Sequence, residues 1–302
     1  MPAPVPGNAY RPHGPRDPGD AWVEGPDGRK FWGRFGAAGL LAHDPARGIL
    51  LQHRAEWSHF GGTWGLPGGA RHQGESAVHG ALREANEEAG VPEGALELGF
   101  TSLLDLGYWS YTTAVARVVH PFDAVISDPE SIALSWVPTD AVGGLPLHPG
   151  FAASWPSLRV ELDRRVVIVV DAANVVGSRP DGWWKDRRGA AERLAVQLDR
   201  LIASGVAASS LGLPQHHWWP EFVLVVEGQA REAAAPADSA LRIVRAAHSG
   251  DDAIVDAARE LRASTSDVIV VTSDRELRTR VEALGATTRG TGWLLEHLTT
   301  AG

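Results

Sequence analysis

Glu84, Glu87 and Glu88 are spaced so that, on a helix, their carboxylates share one face and point in one direction. Three like charges at that spacing repel one another. A merely solvated acidic face gives no reason for the Pro67-Gly68-Gly69 loop that stands shortly before them; a cage for a hard divalent cation does. Oxygen donors of this kind suit Mg²⁺ or Mn²⁺, which keep several waters and bind through a few carboxylates together with substrate phosphates. The loop glycines let the backbone approach both the ion and a phosphate chain closely.

The surrounding spacing is Gly69, five residues, Glu75, seven residues, Arg83-Glu84-Ala85, one residue, Glu87-Glu88, one residue, Gly90-Val91. It resembles the signature of the Nudix family at every fixed position, with Ala85 in a slot that family fills with a bulky apolar residue. The flanks Gly33 to Leu41, Leu50 to Trp57, Gly61 to Gly69 and Leu145 to Trp155 are similar to actinobacterial MutT-like members, so the resemblance covers about residues 21 to 158. It implies an α/β/α sandwich with a mixed sheet, and hydrolysis of a nucleoside diphosphate linked to another moiety by attack of water on phosphorus. Glu84, Glu87, Glu88 and the Gly69 carbonyl then become metal ligands. Glu84 and Glu87 are the catalytic candidates, with Glu84 the favoured base. Arg83 and Glu75 become an ion pair that orients the cluster. Glu130, ahead of Ser135-Trp136-Val137, is the candidate later acid, with an exposed turn acid as the alternative. The signature reads the common pyrophosphate and not the base, so oxidised dGTP, other (d)NTPs, ADP-ribose, dinucleoside polyphosphates and RNA 5′ ends all remain as substrate classes. His53, Trp57, His59 and Trp64 either contact that substrate or pack against the fold.

These groups need a scaffold, and 302 residues with 44% hydrophobic content suffice for two ordinary cores. The first segment reads as strands at Gly36 to Ala42 and Gly48 to His53 around an Asp44-Pro45 turn, then the glycine loop and the acidic helix. A β-rich run at Tyr111 to Val119, a strand at Ala133 to Val137 and helical turns at Asp140 to Val142 and Phe151 to Leu158 complete it. Residues 1–20, rich in Pro and Gly, read as a flexible tail without the apolar core of a signal peptide. No segment approaches 18 uninterrupted apolar residues, so the expectation is a cytoplasmic protein with no membrane partner. The absence of cysteine removes disulfides and thiolate metal sites. Net charge is −9, and from Arg165 onward 16 basic residues face 18 acidic ones, so nucleic-acid binding would need a local patch.

A second domain is expected over residues 165–302. Arg165 to Asp171, Phe222 to Glu227 and Asp267 to Asp274 carry apolar runs of the kind found in strands buried on both faces, each ending in an acid. Helices at Arg187 to Ala203, Ala253 to Ala263 and Glu276 to Leu284 alternate with them, so a mainly parallel α/β/α sheet should gather the acids along one edge, where ligands bind in open α/β sheets. Any single strand-terminal Asp is usually a helix cap. Their repetition, with Asn174 and Asp251-Asp252, resembles the acidic set of PIN-like nucleases, in particular the NYN branch with its YacP-like members. Asp171-Ala-Ala-Asn174 stands where that branch has Asp-Gly-Tyr-Asn. The resemblance implies that Asp171, Asp251 and Asp274 hold Mg²⁺ or Mn²⁺ against an RNA phosphodiester, with Asn174 and Asp252 in support; the alternative is a non-catalytic nucleotide-binding or docking module. Trp183-Trp184 and His216 to Trp219 are base-stacking candidates or, more commonly, core anchors. Nothing here specifies oligomeric state, which leaves room for a homo-oligomer.

Overall fold

The computed structural model describes residues 17–127, 129–180, 182–264 and 267–300. Of the expected flexible tail, residues 1–16 lie outside the described residues. Residues 17–20 form a turn in which the Asp17 carboxylate accepts from the amides of Gly19 (2.7 Å) and Gln73 (3.2 Å). The chain divides into two compact units, residues 1–97 with 101–154, and residues 98–100 with 155–302.

In the first unit the central strand is β1 (Ala37–Asp44), and all eight of its residues are buried. Its run of Ala, Gly and Leu suits a strand covered on both faces. β2 (Gly48–Arg54) pairs antiparallel with β1, and so does the short β3 (Gly68–Ala70), with Ala38 opposite Gly69 and Gly39 opposite Gly68. After the helix α1 (Ala77–Ala89) come β4 (Leu96–Asp105), β5 (Ser110–Val118) and β6 (Ser131–Val137). β5 runs parallel to β1, and β6 runs antiparallel to β2, which makes the sheet mixed. A hairpin of Trp22–Glu24 with Lys30–Trp32 precedes this core, and α2 (Pro149–Arg159) follows it.

The site helix is fixed at both ends. Ser76 caps its start by accepting from the His79 amide, and Gly90 closes it in the left-handed region at φ 63°, its amide bonding to the carbonyls of Ala85 and Asn86. Ala81, Ala85 and Ala89 are all fully buried where the helix lies on β1, β3 and β5. Ala85, small for its slot, therefore packs as an inward residue, and a methyl-sized side chain lets the helix lie close to the glycine-rich strands beneath it.

The second unit contains β7 (Val166–Asp171), α3 (Ala172–Gly177), α4 (Arg187–Ser204), β8 (Glu221–Val226), β9 (Arg242–Arg245), α5 (Gly250–Ala263), β10 (Asp267–Val271), α6 (Arg275–Glu282), β11 (Thr287–Arg289) and α7 (Thr291–Thr300). Its five-stranded sheet is all parallel, in the order β9-β8-β7-β10-β11. The strand order reverses between β7 and β10, so the carboxyl ends of these two strands flank the topological switch point. β4, β9, β11, α3 and α7 do not stand out in the sequence. β9 is only Arg-Ile-Val-Arg on an edge, and β11 is Thr-Thr-Arg, so neither carries the apolar run of an inner strand. Among the described residues no helix is long and apolar enough to cross a membrane.

Removing the cap should loosen the site helix first. Ser76→Ala is expected to cost about 1 kcal/mol, seen as faster amide hydrogen exchange in the first turn of α1, whereas Ser76→Asp should keep that turn protected.

Candidate active site

The glycine strand and α1 bring most of the signature residues to one place. Arg83 is the hub: its Nε donates to Glu75 Oε1 (2.9 Å), Nη1 to Glu84 Oε1 (2.9 Å) and Glu87 Oε2 (3.1 Å), and Nη2 to the Ala70 carbonyl (3.0 Å). Glu75 also accepts from the His72 amide at 2.9 Å. Glu88 is buried and accepts from the Gly68 amide at 2.9 Å. At Gly69 an added Cβ would stand 2.6 Å from the Glu84 carboxyl carbon, so glycine is required there for the carboxylate to lie on the strand.

Electrostatics follow from this crowding. Burial pushes the Glu84 carboxyl up to about 7, against the pull of Arg83 and with a further push from Glu87. Burial also pushes Glu75 upward, but Arg83 and the His72 amide outweigh it and hold that carboxyl below its usual range. The Arg83 guanidinium is raised despite its own burial, by Glu75 and Glu84. The donors are all oxygen, and Glu84 and Glu87 already converge on one cationic nitrogen, which is the chemistry a hard dication needs. Among the described residues no three acidic or histidine side chains stand in a ready cage.

Of the remaining candidates in this unit, Glu130 begins the approach to β6, and its carbonyl accepts from the Ala55 amide at 2.8 Å. His53 stacks on Trp64 with ring centroids 4.7 Å apart and 7° between planes, and its Nε2 lies 3.2 Å from the Gly62 carbonyl, so this pair packs within the fold. Trp57 and His59 are exposed. Tyr111, Arg54 and His148 were not singled out by sequence. Parallel pairing sets Tyr111 beside Ala37, and its phenol is pushed up by burial and by Glu88 and Glu84, against Arg54. His148 sits half-buried before α2, and its Nδ1 accepts from the Gly150 amide at 3.2 Å. Burial pushes the His148 imidazole down to about 4, with Arg54 and His59 adding to the effect.

In the second unit a cavity of about 270 Å³ is lined by Asp171, Asn174, Glu227, Asp251 and Asp274, with Val225 and Ile254 behind them. It lies where the strand ends converge. Asp171 caps α3 through the Asn174 amide (3.0 Å) and accepts from the Thr272 hydroxyl (2.9 Å); Asp274 caps α6 through the Leu277 amide (2.8 Å). The capping role and the clustering therefore coexist. Burial raises the Asp171 carboxyl against its hydrogen bonds, with Asp251 and Glu227 adding; burial also raises Asp251, with Asp274 adding. Asp252 does not line the cavity and instead pairs with Arg280 at 2.5 Å. Glu227, whose Oε2 accepts from the Gly250 amide at 2.8 Å, joins the set; the sequence placed it among the strand-end acids of one sheet edge but not among the candidate ligands. Trp183 and Trp184 meet edge to face at 6.2 Å, with the Arg187 guanidinium 5.4 Å from the Trp183 ring. Trp218 is buried.

A mixed sheet carrying a glycine strand and a capped helix of carboxylates around one arginine defines the first unit as a phosphoanhydride hydrolase of the Nudix type. The Nudix domain model matches residues 33–159. A Mycobacterium tuberculosis protein bearing the name "Putative 8-oxo-dGTP diphosphatase 3" is 49% identical over 154 residues, covering 48% of this chain and 70% of that protein. The crystal structure of RenU, a Nudix hydrolase from M. smegmatis, is 48% identical over 47% of this chain and 94% of its own, at a TM-score of 0.43. The chain belongs to the Nudix family and is a Nudix hydrolase. Rae1 (YacP) from Bacillus subtilis is matched at 16% identity over 45% of this chain and 76% of its own, with a TM-score of 0.33, a likeness too slight to assign the second unit.

The depressed His148 gives a signed pH effect. Because its folded value of about 4 lies below the ordinary 6.5, the unfolded chain binds the proton more readily between those values, so stability falls as pH drops through that window. His148→Asn, which keeps an acceptor for Gly150, should flatten this slope; thermal melts of both proteins at pH 7 and near pH 4.5 check it.

Proposed function

We propose that the first unit is a Mg²⁺- or Mn²⁺-dependent pyrophosphohydrolase of a nucleoside di- or triphosphate derivative, MutT-like in its choice of oxidised dGTP or another (d)NTP. The observation that carries the reading is the convergence of Glu84 and Glu87 on one cationic nitrogen beside Gly69. Glu84, Glu87, Glu88 and the Gly69 carbonyl would hold the ion, with Glu130 as a later acid. When bound, the ion neutralises phosphate charge and lowers the pKa of water. Glu84, set on the strand floor, accepts the proton of the attacking water. Arg83 and Glu75 keep Glu84 and Glu87 in register with the glycine strand, and Glu88 holds the Gly68 amide. The relative's name supports oxidised dGTP. ADP-ribose, dinucleoside polyphosphates and RNA 5′ ends are the competing substrates, and a panel of these with Mg²⁺ and with Mn²⁺ separates them.

For the second unit we propose a metal-dependent ribonuclease, supported by the cavity at the switch point with Asp171, Asp251 and Asp274 on its walls, Asn174 among them and Asp252 alongside. The other reading is a non-catalytic nucleotide- or RNA-docking module. Cleavage of single-stranded RNA on addition of Mn²⁺ decides between them. We place the protein in the cytoplasm.

Glu87→Gln preserves size and removes one charge, so turnover should fall by at least tenfold with circular dichroism unchanged; undiminished hydrolysis removes Glu87 from the site. Chelation by EDTA should abolish hydrolysis, and added Mg²⁺ or Mn²⁺ should restore it. The two sites are expected to act independently. Asp251→Asn should end RNA cleavage while nucleotide hydrolysis continues at the parental rate, and parallel loss of both activities would contradict this.

A further inference from the structure

The residues that frame the carboxylates are themselves held from outside the Nudix signature. Residues 17–19 lie upstream of the stretch that the family model matches. Asp17 opens a tight turn: its Oδ1 accepts from the Gly19 amide at 2.7 Å and its carbonyl from the Asp20 amide at 2.9 Å, the local bonding that makes aspartate a turn former. The turn is anchored at the base of the first hairpin, because the Gly19 carbonyl accepts from the amides of Ala21 and Arg34, both at 2.8 Å. Gly19 is buried, and the Arg71 carbonyl oxygen comes so near it that an added Cβ would collide with that oxygen and stand 2.9 Å from Asp17 Oδ1. The same Oδ1 accepts from the Gln73 amide at 3.2 Å.

Peptide planarity converts these contacts into control of Glu75. The Arg71 carbonyl and the His72 N–H belong to one plane, and the His72 carbonyl and the Gln73 N–H to the next. In the first plane the oxygen rests on Gly19 while the N–H donates to Glu75 Oε2 at 2.9 Å. In the second the N–H donates to Asp17 while the oxygen accepts from the Glu75 amide at 3.1 Å. Each plane thus touches the 17–19 turn at one end and Glu75 at the other. Arg71 adds a third tie, its Nη2 donating to the Glu75 carbonyl at 2.6 Å. Glu75 passes this placement on to Arg83 Nε (2.9 Å), whose Nη1 meets Glu84 and Glu87. The loop has little stiffness of its own, since Gly74, at φ 78°, puts the most permissive residue type directly before Glu75.

We propose that Asp17 is a positioning residue of the hydrolase: from outside the signature, its carboxylate locks the Arg71 to Gln73 backbone so that Glu75 holds Arg83 in register with Glu84 and Glu87. This rests on the reading of those two glutamates as groups that carry turnover. The hydrogen bonds of the Asp17 carboxylate go to Gly19 and Gln73, not to the glutamates, so its effect travels through Glu75. A small displacement suffices, because a group misplaced by about 1 Å can cost on the order of 10²-fold in rate.

The test is steady-state hydrolysis by the full chain with Mg²⁺ of the nucleotide that the parent turns over, dGTP in the first instance. Asp17→Ala should lower kcat about tenfold, one link of such a misplacement, with KM within about twofold of the parent. Asp17→Asn keeps the accepting oxygen and loses only the charge, so it should return kcat to within about threefold of the parent. Gly19→Ala intrudes on the same contacts from the other side and should reproduce the kcat loss, which gives an independent reading should Asp17→Ala not fold. In a chain already carrying Glu75→Ala the downstream link is gone, and adding Asp17→Ala should cost less than about twofold more. Parental kcat in a folded Asp17→Ala protein overturns the assignment. So do an Asp17→Asn protein as slow as Asp17→Ala, and losses that multiply in the double variant, which would mean that the turn only supports the fold. Failure of the parent to hydrolyse any nucleotide is a separate pattern, and removes the underlying reading together with this one.

Discussion

Everything at the first site hangs on one guanidinium. Arg83 spends its donors on Glu75, Glu84, Glu87 and the Ala70 carbonyl, tying the loop after β3, the second half of α1 and the strand itself to a single planar group. Planarity and five fixed donors allow this; a lysine ammonium would supply a point charge without the fork. Without such a hub, Glu84 and Glu87 would repel, and the buried edge of α1 would carry uncompensated charge.

That arrangement in turn constrains the sheet beneath. Glu84 and Glu88 reach the strand only because Gly68 and Gly69 present bare backbone. A Cβ at Gly68 would stand 2.5 Å from the Ala38 carbonyl oxygen, so close pairing with β1 imposes the same choice from the other side. The alanines on the inner face of α1 answer the same need for closeness. Chemistry at the surface and packing below it are thus coupled through a few small residues, and enlarging any of them would move carboxylates as well as the core.

The second unit applies a different physical rule. A parallel sheet whose strand order reverses leaves a crevice at its carboxyl edge, and here that crevice is acidic from several independent elements: Asp171 at the end of β7, Asp274 after β10, Glu227 after β8 and Asp251 in the first turn of α5. Helix capping explains Asp171 and Asp274 one at a time. It does not explain why Asp251, which caps nothing, faces the same cavity, where burial first and neighbouring carboxylates second push both Asp171 and Asp251 upward.

The sequence by itself determined the membership of the acidic helix, since Glu84, Glu87 and Glu88 must share a face wherever a helix runs through them, and it determined the buried strands at Val166 to Asp171 and Asp267 to Val271, because uninterrupted β-branched runs fit little else. It was silent on edges, where four polar-ended residues such as Arg242 to Arg245 carry no periodic signal. It was also silent on several contacts assembled across distant segments. Tyr111 reaches the glycine floor only through the parallel register of β5 on β1, Glu227 enters the acidic crevice only through strand order, and Trp22, Phe60 and His148 become neighbours only once hairpin, loop and helix approach are folded together. Local periodicity encodes which way a side chain points along its own element. Which other elements stand in front of it is decided by the tertiary structure alone, because burial and pairing energies act between segments that the chain order does not place side by side.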